Sequence, residues 1–491
     1  MRGVAKRAGS IGILKGFMAK SDAIQSDVGL IGLDAIGRNV ALHLAEDHFN
    51  VAACDCGGRK TLALPEQAAW PRVRVAGNVS ELLANLRQPR TILIFSGAEA
   101  PMNSILDRLL PGLEQEDILM DAGDSYFKDT ASHGRRLEEQ SIHFMGLGLS
   151  GGERGARHGA IVMARGAREA RERTRPWLES MAATVRGEPC VSYFESAAAA
   201  HFVKMVHNGV ENALLQLVRE TYQLLQRALL LTDEEMDDAS GAWLIGVLGG
   251  HLVEISGRVL EPQSARSWPW DELKWAKDDA LGRWAAQSAW ELEAPVPTIE
   301  AAVGARGGVA TEERQALLAA PFRQPVGRFG DDPESVMKEL HSALHAAMMI
   351  TYAQGMALLN AASEQFGFQF NLPEISRAWR GCTHLRTTLL DNIATALEAT
   401  PDLPELLSDD DLSQEVMAGQ ENLRHAVWRA PGLDTAVPAL LASLNYLDSN
   451  RAAWLPVNLI QAPPGGQRGR RNGHHAPTRT SRLSGPNNRV K

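Results

Sequence analysis

Short apolar runs alternate with helical patterns along the first part of the chain. Residues 28–33 are apolar and turn at Gly32; residues 35–47 follow with Ile36, Val40 and Leu44 on one face. Residues 51–54 form a second run, which Asp55 ends. The stretches at 91–95 (TILIF) and 118–120 (ILM) predict further strands, and 73–75 is a weaker one. Runs apolar on both faces, separated by helical spacing, predict a parallel sheet covered by helices on both sides. The GLGLSGG stretch at 146–152 reads as a glycine-rich loop after such an element.

From about residue 197 the pattern changes. Residues 197–228 follow one long helical period, interrupted only by Gly209. Further helical patterns run over 233–248, 284–292, 334–366, 387–399 and 412–430, and strand-like runs are almost absent. The fold expected is an α/β domain followed by a large all-helical one, with the helix near 200 leading from one to the other. The division expected is a basic leader over 1–26, an α/β domain over 27–200, a helical domain over 201–462 and a tail over 463–491.

Composition sharpens this division. The 491 residues are 44% hydrophobic, and 50 basic against 59 acidic residues leave a net charge of −9. Residues 1–20 carry five basic residues and no acidic one, and residues 463–491 carry seven and none, so the body between them stands at −21. Both ends are expected to be disordered, and the tail's Pro, Gly, Arg and Asn content points the same way. An acidic body argues against a nucleic-acid or anionic-membrane binder. No apolar run reaches the roughly 18 residues of a membrane span; the best candidate, 242–255, is interrupted by Gly249, Gly250 and His251. The basic leader lacks a continuous apolar core and an obvious cleavage site, so it does not read as a signal peptide. Cys54, Cys56, Cys190 and Cys382 are too few for a disulfide framework. They are expected to be free thiols in a reducing, cytoplasmic setting.

Candidate chemistry starts at Gly32-Leu33-Asp34-Ala35-Ile36-Gly37, directly after the first strand and opening a helix. Glycines there allow a tight turn and let the helix N-terminus face a pyrophosphate, and Asp55 after the second strand is placed to bind ribose hydroxyls. This is the pattern of a Rossmann-type dinucleotide-binding domain, with an ordinary turn of an α/β protein as the alternative. Asp34 stands out, because the position nearest the phosphates normally holds a small uncharged residue and a carboxylate there repels them unless it turns away.

The helix near 200 carries a polar stripe. Lys204, His207, Asn208, Glu211 and Asn212 fall at i, i+3, i+4, i+7 and i+8, among Phe202, Val203, Met205, Val206, Val210, Leu214 and Leu217. Polar groups on an apolar helix are costly unless satisfied or used. Lys204 and Glu211 lie roughly 10 Å apart along the axis, enough to flank a small substrate. A partly buried lysine can lose its proton near neutrality and act as a base. A solvated stripe with local ion pairs is the alternative. Ser150-Gly151-Gly152 could receive a carboxylate on its backbone N–H groups, or be a plain loop.

Taken together, the motifs resemble those of the decarboxylating 6-phosphogluconate dehydrogenase family. The stretch HFVKMVHNGVE at 201–211 resembles its active-site helix, and GLIGLDAIGRN at 29–39 its coenzyme turn. DAGDSYFKDT at 121–130 and GLGLSGGERGARHG at 146–159 resemble its substrate loops. WRGC at 379–382 and LPVNLIQA at 455–462 resemble its helical domain and the segment before its tail. The resemblance implies oxidation and decarboxylation of 6-phosphogluconate to ribulose 5-phosphate in the pentose phosphate pathway, with no metal. It implies Lys204 and Glu211 as catalytic residues. Asp124, Ser150, Gly151, Gly152, His207, Asn208, Asn212 and Arg306 would hold the substrate. Gly32, Leu33, Ala35, Ile36, Gly37, Asp55, Ser96 and Asp124 would hold the coenzyme. It also implies a homodimer whose tail completes the neighbouring site.

The departures from that family cluster on the phosphate grip and the coenzyme. Asn212 replaces a tyrosine, the phosphate-binding lysine falls near Asp279 with Lys277 two residues away, and Asp124 replaces an asparagine. The tail's arginine and histidine meet 463–466 (PPGG), leaving Arg468, Arg470, His474 and His475 as substitutes. A phosphate dianion wants several fixed cationic donors. Asp55-Cys56-Gly57 stands where the family has Asn-Arg-Thr, so NADP is implied by resemblance while Asp55 favours NAD, with Arg59 and Lys60 nearby. Two further readings follow: a β-hydroxyacid dehydrogenase acting on an altered sugar acid, or a degenerate paralogue kept as a binding or structural dimer.

Overall fold

The computed structural model describes residues 25–55, 71–97, 101–165, 168–230, 280–307, 332–381 and 389–452. The leader up to residue 24, the tail over 463–491, the helical pattern at 233–248, Cys56, Arg59, Lys60, Lys277, Asp279, Cys382 and the 455–462 segment lie outside the described residues. The chain divides into two compact units, 1–447 and 448–491; the first contains everything described below except residues 448–451 at the end of the last helix.

Ten strands are described. They are β1 (Val28–Ile31), β2 (Val51–Cys54), β3 (Val73–Val75), β4 (Thr91–Ile94), β5 (Ile118–Asp121), β6 (His143–Ser150), β7 (Ile161–Arg165), β8 (Thr184–Val185), β9 (Glu188–Pro189) and β10 (Val191–Phe194). Eight of them form one sheet in the order β10-β7-β6-β5-β4-β1-β2-β3, while β8 and β9 make a separate hairpin. From β3 across to β6 every pairing is parallel; β7 runs antiparallel to β6, and β10 parallel to β7. Strand order reverses between β1 and β4, and open sheets of this kind bind ligands at the carboxyl ends of such a switch point.

Helices α1 (Ala35–Glu46), α2 (Val79–Asn85), α3 (Met102–Leu109), α4 (Phe127–Glu138), α5 (Gly152–His158) and α6 (Arg168–Ser180) connect the strands. Alternate residues of a strand face opposite sides, which sorts the core into two layers. Val28, Leu30, Val51 and Ala53 pack with Val40 and Leu44 of α1, Ala156 of α5 and Leu178 of α6. Ile31, Ala52 and Ile92 face the other way, toward Leu82 of α2, Ile105 and Leu109 of α3 and Leu137 of α4.

One reading changes at residues 146–152. The glycine-rich stretch expected as a loop is the second half of strand β6, followed by the turn into α5. Its glycines answer to packing rather than to a turn. A Cβ built at Gly146 would lie 2.3 Å from the Ala197 carbonyl oxygen, and one at Gly148 would lie 2.7 Å from Lys204 Cβ. The strand gives up side chains so that the next helix can lie directly on it.

That helix is α7 (Ala197–Leu229), 33 residues without a break, roughly 50 Å long at the α-helical rise. It is buried on most of its circumference because the sheet lies on one side and the helical part on the other. The remaining helices are α8 (Ala280–Glu291), α9 (Pro297–Gly307), α10 (Pro333–Phe366), α11 (Leu372–Trp379), α12 (Leu389–Ala399), α13 (Asp410–Arg429) and α14 (Pro438–Arg451). α9, α11 and α14 were not anticipated from periodicity. Among the described residues no strand follows α7, and no helix is long and apolar enough to cross a membrane. Cys190 is a buried free thiol as expected, whereas Cys54 is disulfide-bonded and departs from that expectation.

Glu220 locks α7 to the last helix. Its two carboxylate oxygens accept the backbone N–H groups of Ala439 and Leu440, each at 2.9 Å, and Gln216 Nε2 donates to it at 2.9 Å. Burial pushes this carboxyl up from the ordinary glutamate range, opposed by those donors. It serves as a distant N-cap, an arrangement in which a side chain satisfies helix-terminal amides that would otherwise be orphaned.

Candidate functional site

The turn after β1 is as tight as the sequence spacing requires. Gly32 sits at φ +96°, a region open to glycine and strained for other residues. A Cβ on it would lie 2.4 Å from the Phe95 carbonyl oxygen, and a Cβ on Gly37 would lie 2.0 Å from the Gly32 carbonyl oxygen. β1, the turn and α1 therefore meet with no side chain between them, the cradle that a dinucleotide's pyrophosphate needs for close backbone approach. Leu33 is buried beneath the turn, while Ala35 and Ile36 begin α1 half-buried. Asp55 follows β2 half-buried, and Ser96 follows β4. Ser96 packs on the loop after β5, where a Cβ on Gly123 would meet its Oγ at 2.3 Å. Asp124, next along, is exposed. The predicted coenzyme residues thus lie at the carboxyl ends of β1, β2, β4 and β5. The geometry of the cradle fits a dinucleotide; the charge of Asp34 does not, and its side chain accepts the Gly37 N–H at 2.9 Å.

The second group of residues lies on α7 and at the end of β6. Lys204 is 6% exposed, with its stem against Gly148. Two residues along the same strand comes Ser150, buried, followed by Gly151 (φ +129°) and Gly152 (φ +58°), which turn the chain into α5. Lys204 lies on the face of β6 that Ser150 shares, because residues 148 and 150 point to the same side of the strand.

The rest of the predicted stripe stays with Lys204 on the continuous helix. His207 is buried, with its ring edge-on to buried Trp379 at 5.1 Å between centroids, and its Nδ1 is 4.0 Å from a Glu211 carboxylate oxygen. Asn208 keeps its side-chain Oδ1 buried with no hydrogen-bond partner, an arrangement a protein tolerates where a ligand supplies the donor. Asn212 is buried, and its Oδ1 accepts a hydrogen bond from Arg306 Nη2 of α9. Arg306, 94 residues away in sequence, is thereby held beside the carboxyl-terminal end of the stripe. Trp379, from the WRGC motif, forms a wall behind His207, and the next residue, Arg380, is held by Glu188 and Asp391 at 3.0 Å each.

One cluster was missed. His201, one turn before Lys204, bridges α7 to the loop and helix after β5. Its Nε2 lies 3.1 Å from the Asp121 carbonyl oxygen and its Nδ1 2.7 Å from Thr130 Oγ1. A carbonyl only accepts, so Nε2 donates to it. The Asp121 side chain is fully buried; one oxygen accepts the Gly123 N–H at 3.1 Å and the other has no hydrogen-bond partner. Burial pushes its carboxyl up from the ordinary range, against the opposing pull of His201, Ser125, Gly123 and His133. An unfolded aspartate ionises near 3.9. Stability is therefore full below that value and declines as pH rises through the higher folded-state value. Asp121→Asn is expected to melt above the parent protein at pH 7–8, with the difference vanishing below about pH 4. Melting curves across that range test it, and a pH-independent difference would contradict it.

The comparisons with known proteins come from both halves of the chain. The NAD binding domain of 6-phosphogluconate dehydrogenase matches residues 27–193, and the 6-phosphogluconate dehydrogenase C-terminal domain matches residues 200–466. A decarboxylating 6-phosphogluconate dehydrogenase of Synechocystis is 36% identical over 442 residues, 88% of this chain and 92% of the relative. The NADP(+)-dependent decarboxylating enzyme of Bacillus subtilis is 35% identical over 89% of this chain and 94% of its own length. The 6-phosphogluconate dehydrogenase structure of Plasmodium falciparum superposes with a TM-score of 0.77 at 28% identity, covering 89% of this chain and 95% of that one. With both halves of the chain matched in order and relatives aligned over nearly their whole length, the chain belongs to the decarboxylating 6-phosphogluconate dehydrogenase family.

Proposed function

We propose that this chain oxidises and decarboxylates 6-phosphogluconate to ribulose 5-phosphate and carbon dioxide, with a nicotinamide dinucleotide as oxidant. The observation that supports the reading is a buried lysine packed on Gly148, on the face of β6 that Ser150 shares, with Glu211 two turns along the same helix. Bound coenzyme would supply the acceptor for the hydride leaving the substrate's hydroxyl-bearing carbon. Lys204 takes the proton of that hydroxyl, which lies β to the carboxylate. As an ammonium it then polarises the ketone and returns the proton to its oxygen as carbon dioxide departs, leaving an enediol. Glu211 delivers a proton to the enediol carbon while Lys204 takes back the hydroxyl proton, which completes the product. Ser150, Gly151, Gly152, His207 and Asn208 orient the sugar acid, and the unpartnered Asn208 Oδ1 supports a ligand donor at that point. Arg306, braced by Asn212, faces the phosphate end.

Asp55 sits where an acidic group accepts ribose hydroxyls and opposes a 2′-phosphate, which favours NAD; the name of the Bacillus relative favours NADP. Division of labour follows the expected bounds, with 27–200 for coenzyme and 201–462 for catalysis and dimerisation. A homodimer in the cytoplasm is part of the proposal, and it agrees with Trp428 and Met417 standing 76% and 51% exposed on α13. The altered phosphate grip at Asn212 favours a second reading, in which an unphosphorylated aldonic acid is the substrate.

One assay addresses both the substrate and the coenzyme: absorbance at the reduced-nicotinamide band, with both coenzymes and a panel of phosphorylated and plain aldonic acids. The expected result is turnover of 6-phosphogluconate with a higher kcat/KM for NAD than for NADP, the gap narrowing in Asp55→Asn. A preference for NADP in the parent protein would overturn the Asp55 assignment. Faster turnover of a plain aldonic acid would establish the second reading, and no turnover with any acid would reject both.

A further inference from the structure

Asp34 occupies an unusual place in the coenzyme cradle. Gly32-Leu33-Asp34-Ala35-Ile36-Gly37 matches the spacing of a G-x-G-x-x-G fingerprint, with Asp34 at the middle glycine. In that fingerprint the middle glycine is the point of closest backbone approach to the pyrophosphate. The other two positions keep their glycines for the steric reasons given above, a positive φ at Gly32 and a 2.0 Å approach at Gly37. Only the position nearest the phosphates has changed, and it has gained a negative charge.

The side chain does not turn out to solvent. Asp34 is the N-cap of the 12-residue helix α1, with extended backbone (φ −66°, ψ −173°), and its Oδ1 accepts the Gly37 N–H at 2.9 Å. The first turn of that helix contains no other acidic residue. The positive end of the helix dipole that would receive a pyrophosphate therefore already carries a carboxylate, which also engages the Gly37 N–H. A pyrophosphate carries negative charge to the same few ångströms. The two anions cannot share that helix end without repulsion, and one must yield.

We propose that Asp34 is a built-in competitor for the coenzyme's pyrophosphate: it caps α1 in the free protein and lowers coenzyme affinity by holding the phosphate seat. The inference rests on the coenzyme reading above and deepens it by naming the residue that sets affinity. Weak holding also favours release of the reduced coenzyme after each turnover, so the residue trades affinity for exchange.

The clean variant is Asp34→Asn, because asparagine caps a helix about as well as aspartate and carries no charge. Isothermal calorimetry on the full chain, with NAD and NADP separately and no sugar acid present, is expected to show at least one coenzyme bound tenfold or more tightly by Asp34→Asn than by the parent protein. The melting temperature without coenzyme should stay unchanged, whereas Asp34→Ala, which loses the cap, should melt lower yet also bind coenzyme more tightly. Equal or weaker coenzyme binding by Asp34→Asn overturns the competitor role while leaving the coenzyme reading intact. Failure of every variant to bind either coenzyme overturns both.

Discussion

Replacing Lys204 by alanine is expected to lower kcat by about 10³-fold, within the range by which a positioned general base accelerates proton transfer. The side chain is buried against Gly148 of β6. No other lysine lies on α7, so none on that helix can stand in. Coenzyme affinity should be unaffected, because the Gly32–Gly37 cradle is built from β1 and α1 while Lys204 stands on α7. Removing a buried side chain leaves a void that costs stability of its own. Lys204→Met, which fills most of the volume without an amine, separates the two effects. Both variants should show the same collapse in kcat, with native-like melting in the methionine form. Parent-like turnover in either would remove Lys204 from the reaction.

The second large effect is expected from a single methyl group outside the polar stripe. Gly148→Ala places a Cβ 2.7 Å from Lys204 Cβ and 3.2 Å from its Cγ. The near end of the lysine stem cannot swing aside as a flexible tip could, so α7 or β6 must shift. Displacing a reacting group by an ångström commonly costs about 10²-fold in rate, and kcat should fall by roughly that factor. Overpacking at such a contact also costs about 1–3 kcal/mol of stability. Gly134→Ala is the control: a Cβ there meets only Phe144 Cδ1 at 3.5 Å, an ordinary contact, so its kcat should match the parent's. Equal kcat in Gly148→Ala and Gly134→Ala would show that the close approach does not set the lysine's position.

Much of this architecture is legible in the order of apolar residues, for a physical reason. Parallel strands buried on both faces read as unbroken apolar runs, and β1, β2, β4 and β5 follow the runs at 28–33, 51–54, 91–95 and 118–120. The long helices α7, α10 and α13 keep a clear period, so their ends fall within about two residues of expectation. β6 was misread because its glycines lower strand propensity. The need for them comes from α7, which is distant in sequence and visible only once the chain is folded. The same limit applies to the candidate site. Spacing alone puts Lys204, His207, Asn208, Glu211 and Asn212 on one face, but not Trp379 against His207 or Arg306 against Asn212. Nor does spacing show that His201 hydrogen-bonds to the main chain at Asp121. Asp34 is the intermediate case: its charge is conspicuous in the sequence, whereas the direction of its carboxylate is a property of the folded turn.

The unbroken run of α7 carries a consequence for how this enzyme can diverge. Lys204 and Glu211 are spaced by the helix's own hydrogen-bonded pitch, as marks are spaced on a ruler, and no substitution elsewhere can lengthen or shorten that interval. On the roles proposed above, drift in the surrounding grip, as at Asn212, alters which acid is captured and how firmly, while the span between the two proton-exchanging groups stays constant. The same proposal constrains successive changes of substrate to molecules whose hydroxyl-bearing carbon and proton-accepting carbon fit that unchanging gauge.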